Sequence, residues 1–114
     1  MSKLYIISLF LISAFSLKAQ MISGDLLDSG RKLETNYSFV VKNKYSGIQY
    51  FELAVNPLGK VIGIKDLDEK GAIISTPAKV LATNELYNLQ FESGTHYPKF
   101  QHVKVKIRFE KQTP

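Results

Sequence analysis

The sequence has no cysteine, and this absence excludes several kinds of chemistry. Without a thiol there is no disulfide bridge, no cysteine nucleophile, no thiolate metal ligand and no lipoprotein anchor. A small domain of this kind must be held together by packing alone. Seven phenylalanines and six tyrosines supply large apolar surfaces for such a core.

Histidine is also scarce: the chain has only His96 and His102. A serine triad needs a histidine paired with a carboxylate, and neither histidine lies in a recognisable catalytic motif. We therefore predict no enzymatic activity, no catalytic residue, no metal and no cofactor. A small secreted hydrolase or inhibitor stays open as an alternative.

Only one long apolar run is present, and it lies at the N-terminus. Leu4 to Leu17 has no charged residue and follows Lys3. The run is shorter than the about 20 residues that a membrane-spanning helix needs, and it is typical of a signal peptide. We predict cleavage after Ala19 and a periplasmic or secreted protein. Cleavage after Ser16 and an uncleaved anchor remain open.

Removing 19 of 114 residues leaves 95, which is enough for one domain. The mature chain has 13 basic and 10 acidic residues, a net charge of +3, so no nucleic-acid partner is expected. Residues 20–36 are polar and rich in turn formers, which predicts a flexible leader before a domain at 37–114.

The domain begins with strand-like segments. Residues 37–42 favour a strand, although a short helix also fits, and 48–55 alternate clearly. Asn56 to Gly59 predicts a tight hairpin turn into a second arm at 60–66. A helix is predicted from Ser75 or Thr76 to Ser93 and Gly94. Its predicted apolar stripe consists of Ala78, Leu81, Ala82, Leu86 and Leu89.

The last segment alternates most strictly, with apolar residues at 103, 105, 107 and 109 between histidine and basic residues. It predicts a half-buried strand with one basic face. The fold class that follows is α+β: a small antiparallel sheet of three to four strands, with one main helix packed on one face, after an N-terminal signal helix.

The order of these parts resembles the TonB C-terminal domain family, especially its small stand-alone versions in Bacteroidota. The resemblance lies in Gly47, residues 51–61, residues 89–91 and Val103 to Phe109. It implies a periplasmic domain linked to TonB-dependent transport. In that family the domain offers the edge of a three-stranded sheet to a segment of an outer-membrane protein, which binds as an added strand. The chain has no proline-rich spacer before the domain, which favours a stand-alone binding module.

By this resemblance, the receiving edge is His102 to Glu110. The predicted partner-binding residues are His102, Lys104, Val105, Lys106 and Arg108. Lysines on an edge strand discourage aggregation between sheets. They also leave open an alternative function, the binding of a polyanion through the basic face.

Overall fold

A computed structural model describes residues 20–67 and 75–112. The predicted signal peptide at 1–19 lies outside the described residues. The elements are β1 (Met21–Ser23), α1 (Asp25–Asp28), β2 (Val40–Asn43), β3 (Gly47–Val55), β4 (Val61–Leu67), α2 (Thr76–Tyr87) and β5 (Gln101–Lys111). The predicted α+β class is confirmed. Within the described ranges, no helix is long and apolar enough to span a membrane.

The strands form one sheet with β5 in its interior. On one side β5 pairs with β3, and β4 follows beyond β3. On its other side β5 pairs with β1 near its start and with β2 near its end. The β2 pairing is parallel and the others are antiparallel. The sheet has one strand more than predicted, because the three residues of β1 are too short to give an alternating pattern.

The core lies on one face of this sheet. Phe51 and Leu53 on β3, with Val103, Val105 and Ile107 on β5, are completely buried, as their alternation predicts. Each contributes about 1.5–3 kcal/mol relative to an exposed position. Both helices cover this face, with the following buried side chains: Leu26 from α1, and Ala78, Ala82 and Leu86 from α2.

The predicted hairpin turn is present between β3 and β4. Asn56 and Lys60 are joined by two hydrogen bonds, from Asn56 N–H to the Lys60 carbonyl and from Lys60 N–H to Asn56 Oδ1, both 3.0 Å. Gly59 adopts a φ of 83°, which a residue with a side chain rarely takes. Its carbonyl accepts a hydrogen bond from Phe91 N–H (2.8 Å), so the turn is fixed to the chain that follows α2.

The helix α2 begins where predicted and ends earlier. Ser75 is the N-cap, and its hydroxyl accepts from Ala78 N–H at 3.4 Å. The helix ends at Tyr87 instead of Ser93 and Gly94, because the chain turns at Asn88. Leu81 was predicted to face the sheet and is 46% exposed. The buried residues recur at intervals of four, so the buried stripe is narrow and Leu81 lies on its flank.

The segment predicted as a flexible leader is part of the fold. Leu26 is fully buried and Arg31 is 2% exposed. The turn-forming residues here separate short ordered elements, and Gly24 and Gly30 adopt positive φ values at their ends. Polar composition therefore gave the wrong prediction for residues 20–36. The next predicted strand, at 37–42, is confirmed only from Val40 onward.

Candidate interaction surfaces

The outer edge of β5, meaning its side away from β3, is occupied along its first half. The N–H of His102 donates to Asp25 Oδ1 at 2.6 Å. The N–H of Lys106 donates to the Gln20 carbonyl at 3.0 Å. Between these two bonds β1 pairs directly with β5. All of these partners come from the segment that was expected to be flexible.

The second half of this edge is filled by β2. The N–H of Arg108 donates to the Phe39 carbonyl at 3.1 Å, and the N–H of Gln112 donates to the Asn43 carbonyl at 2.8 Å. Parallel pairing of β2 covers the residues between them. The prediction that His102 to Glu110 offer a free edge is therefore wrong, since β5 has neighbours on both sides.

The five predicted partner-binding residues lie on two different faces. Val105 is completely buried in the core, so its side chain is not available to a partner. The other four are His102, Lys104, Lys106 and Arg108, which follow one another on the opposite face of the sheet. No helix in residues 20–67 or 75–112 packs on that face, which we call the open face.

Within residues 20–67 and 75–112, the longest free edge of the sheet is at β4. Along a strand, the peptide groups of successive residues point to opposite sides in the sheet plane. Lys106 directs its N–H away from β3, so its partner Tyr50 directs its own N–H toward β4 and bonds to Leu67 there. The neighbouring residues of β4, Ile64 and Asp66, therefore direct their N–H groups away from the sheet. Among the described residues, no group bonds to these outward N–H and C=O groups. We call them the β4 edge.

Two contacts hold this edge in place. The Nε2 amide of the buried Gln49 on β3 donates to the Leu67 carbonyl (2.9 Å) and also to Asp66 Oδ1. On the same face of the sheet, Lys79 on α2 makes an ion pair with Asp66 at 2.7 Å. The end of β4 is thus tied both to β3 and to the helix. A guest strand would meet an ordered edge.

The open face is basic. It includes the side chains of Lys42, Lys65, Lys104, Lys106 and Arg108, against the carboxylates of Glu52 and Glu110. Five cations and two anions give a net charge of +3. Glu110 pairs with Lys42 (2.6 Å) and with Arg108 (3.0 Å). The hydrogen bond from Lys42 holds the pKa of the Glu110 carboxyl below its usual value. The ring centre of Tyr50 lies 4.8 Å from Lys104 Nζ.

Comparison with known proteins gives no relative. No protein-family model, no curated protein and no solved structure matches this chain. The function proposed below therefore rests on the geometry of these surfaces.

Arg31 is a polar anchor that the sequence did not reveal. Its guanidinium donates to the carbonyls of Glu92 and Asn56, both at 2.7 Å, and to Gln101 Oε1 at 3.1 Å. It also stacks 4.0 Å from the ring centre of Tyr97. Burial lowers the pKa of Arg31. These contacts join the N-terminal segment to the hairpin, to the connection between α2 and β5, and to the start of β5, which gives Arg31 a structural role.

The two histidines do not form a recognisable site. His96 is exposed and stacks on Tyr97 with ring centres 4.1 Å apart. Within the described residues, no hydrogen bond joins the imidazole of His96 or His102 to a carboxylate. Likewise, the part of the chain that the structure describes holds no group of three potential ligands for a metal ion.

Proposed function

We propose that this chain is an exported protein-interaction module that binds an extended segment of an envelope protein at the β4 edge. The mode is strand addition, in which main-chain hydrogen bonds give affinity and side chains give selectivity. One observation carries the proposal: Ile64 and Asp66 present outward peptide groups that have no partner in the described residues, on a strand of seven residues.

The opposite side of the sheet is a poorer receptor. It consists of β1, with three residues, and β2, with four, and these strands pair with different parts of β5. A guest strand there would have no continuous ladder to extend. At the β4 edge, the peptide groups of Ile64 and Asp66 offer about four hydrogen bonds, each contributing about 0.5–1.5 kcal/mol. Such an interaction would be reversible unless side chains add to it.

Side chains near the edge supply selectivity. Ile62 is 44% exposed on β4, and Lys79 reaches the strand from α2. An exposed apolar side chain at one end of the strand and a lysine paired with Asp66 at the other favour a guest segment that carries both apolar and acidic residues. The resemblance to TonB C-terminal domains favours strand addition as the mode, with β4 in place of the β5 edge that it implies, and it extends the proposal to a role in TonB-dependent transport.

Export is the second part of the proposal. Cleavage after Ala19 would leave Gln20 as the first residue, and its carbonyl accepts the hydrogen bond from Lys106. The predicted cut therefore preserves the pairing on β5. Mass spectrometry of the protein from envelope fractions should find a chain that begins at Gln20. A full-length chain found in the cytoplasm would contradict export.

Site-specific photocrosslinking in the producing cell tests the binding mode. A photoreactive residue at position 62 should crosslink to a partner, whereas one at Tyr87, which is similarly exposed, should not. Ile64→Pro removes the outward N–H and should abolish the crosslink. Ile64→Ala removes a similar amount of side chain but keeps the N–H, so it should retain the crosslink. Equal crosslinking by both variants would refute strand addition at this edge.

A further inference from the structure

The open face combines cations with exposed and half-buried apolar side chains in a regular grid. Across the strands, Val40 and Ile48 flank Arg108, and Tyr50 lies beside Lys106. Ile48 is 43% exposed. A solvated sheet face usually carries polar side chains only on its outward positions. Apolar side chains between the cations of this face therefore indicate a binding surface.

One end of the open face carries a protruding aromatic residue. The turn between β2 and β3 places Tyr45 at 65% exposure, with Lys44 Nζ 5.7 Å from its ring. The end of β5 reaches this turn, because Asn43 pairs with Lys111. We call Lys44, Tyr45 and Lys111 the tip. Tyrosine beside lysine is the combination that proteins place at the boundary between lipid headgroups and water.

The distribution of the cations indicates the shape of the partner. They extend from Lys42 on β2 to Lys65 on β4, which is four strands and about 14 Å across the sheet. Along β5, Lys104 to Arg108 covers about 13 Å. An extended peptide would contact one line of this grid, whereas a flat anionic surface contacts all of it.

We propose that the open face and the tip form a docking surface for an anionic lipid membrane. The cations of the grid face the headgroups, and Tyr45 inserts at their boundary with Ile48 beside it. The carboxylate of Glu110 is already paired with Lys42 and Arg108, so it opposes the negative surface little. This surface is separate from the β4 edge, because the peptide groups of the edge point within the sheet plane, whereas the side chains of the open face project perpendicular to it. A membrane and a guest strand could bind together.

Vesicle binding tests this inference. The protein is produced from the full-length sequence, so every variant has the same N-terminus. Its affinity is measured for vesicles of phosphatidylglycerol mixed with phosphatidylcholine and for vesicles of phosphatidylcholine alone. The readout is the affinity for the mixed vesicles divided by the affinity for phosphatidylcholine vesicles. A contribution of the N-terminal segment that is the same for both kinds of vesicle cancels in this ratio.

The key variant is Lys106→Glu with Arg108→Glu. Each cation near an anionic surface strengthens binding about fivefold, so loss of two should lower the ratio at least about twenty-fivefold. The matched control is Lys60→Glu with Lys99→Glu, which changes the net charge equally at the hairpin end of the domain. Its ratio should stay within about twofold of wild type. If the key variant fails to fold by circular dichroism, Lys65→Glu on β4 replaces it, with an expected loss of at least about fivefold.

A second pair of variants tests the tip. Tyr45→Ser should weaken binding to anionic vesicles several-fold, while Tyr87→Ser, at a similarly exposed position on α2, should not. The proposal fails if wild-type protein shows no preference for anionic vesicles. It also fails if both charge variants lose affinity equally, or if the open face binds heparin or an acidic peptide and not the vesicles.

Discussion

The backbone N–H of His102 donates to Oδ1 of Asp25 at 2.6 Å, although 77 residues separate them in the chain. This bond closes the outer edge of β5 near the start of the strand. Together with β1 and β2 it makes the last strand an interior strand of the sheet. Any partner that binds by strand addition must therefore use another edge or displace part of the N-terminal segment.

Proline substitutions separate the interior strand from the free edge. The N–H of Val105 points toward β3, opposite to that of Lys106, so Val105→Pro removes a ladder hydrogen bond in the middle of the sheet. We expect this variant to lose cooperative unfolding. Ile64→Pro on β4 should still unfold cooperatively, with a lower midpoint, in thermal melts followed by circular dichroism. Equal stability of the two variants would contradict the strand order.

Arg31 should be among the most sensitive positions of the N-terminal segment. Arg31→Lys keeps the charge but cannot reach all three acceptors, so buried carbonyl oxygens lose their donors. The expected loss is about 3 kcal/mol in the free energy of unfolding, measured by urea denaturation. Lys32→Ala, at the exposed neighbouring position, should change it by less than about 0.5 kcal/mol. A small effect at Arg31 would show that the segment is not anchored.

Two glycines with similar backbone angles should respond differently to alanine. Gly59 has a φ of 83° and Gly30 a φ of 75°, so both alanine variants carry a backbone cost of about 1–2 kcal/mol. At Gly59 a Cβ would also overlap the carbonyl oxygen of Phe91, whereas at Gly30 no atom lies within 4 Å. Gly59→Ala should therefore cost about 2 kcal/mol more than Gly30→Ala in urea denaturation. Similar costs would argue against the packing of the hairpin on Phe91.

Tyr37 predicts a loss of stability at alkaline pH. Burial, with a hydrogen bond to Glu85 at 2.8 Å, raises the pKa of the Tyr37 hydroxyl above its ordinary value of 10.0. The neutral form is thus favoured by folding, and its contribution is complete below pH 10.0 and is lost as the pH rises further. The stability difference between wild type and Tyr37→Phe should shrink above that pH in urea denaturation. A difference that stays constant would place Tyr37 in a solvated environment.

The faces of the strands could be predicted from the sequence, but their neighbours could not. Alternation at 103, 105, 107 and 109 shows which side of β5 faces the core, and the buried side chains confirm it. It does not show what lies beside the strand in the sheet plane, since backbone hydrogen bonds do not depend on the side chains. The pairing with Gln20 and Phe39 is contact between distant parts of the chain, for which the sequence has no local signal.

The burial of the N-terminal segment could not be predicted from the sequence either. Its serines, glycines and aspartates predict turns, and turns are present, but Leu26 and Arg31 between them are buried. These two buried residues, one apolar and one basic, do not form a periodic pattern. The basic character of the open face could be predicted, because Lys104, Lys106 and Arg108 alternate in the sequence. The role of β4 as the free edge became evident only from the strand order.

Residue-resolved hydrogen exchange of the free protein distinguishes a closed outer edge of β5 from an open one. We predict slow exchange for the amides of Lys106 and Arg108, which are bonded to Gln20 and Phe39, and fast exchange for the outward amide of Ile64. Exchange at Lys106 and Arg108 as fast as at Ile64 would mean that the outer edge of β5 is open, and it would contradict the assignment of the binding edge to β4.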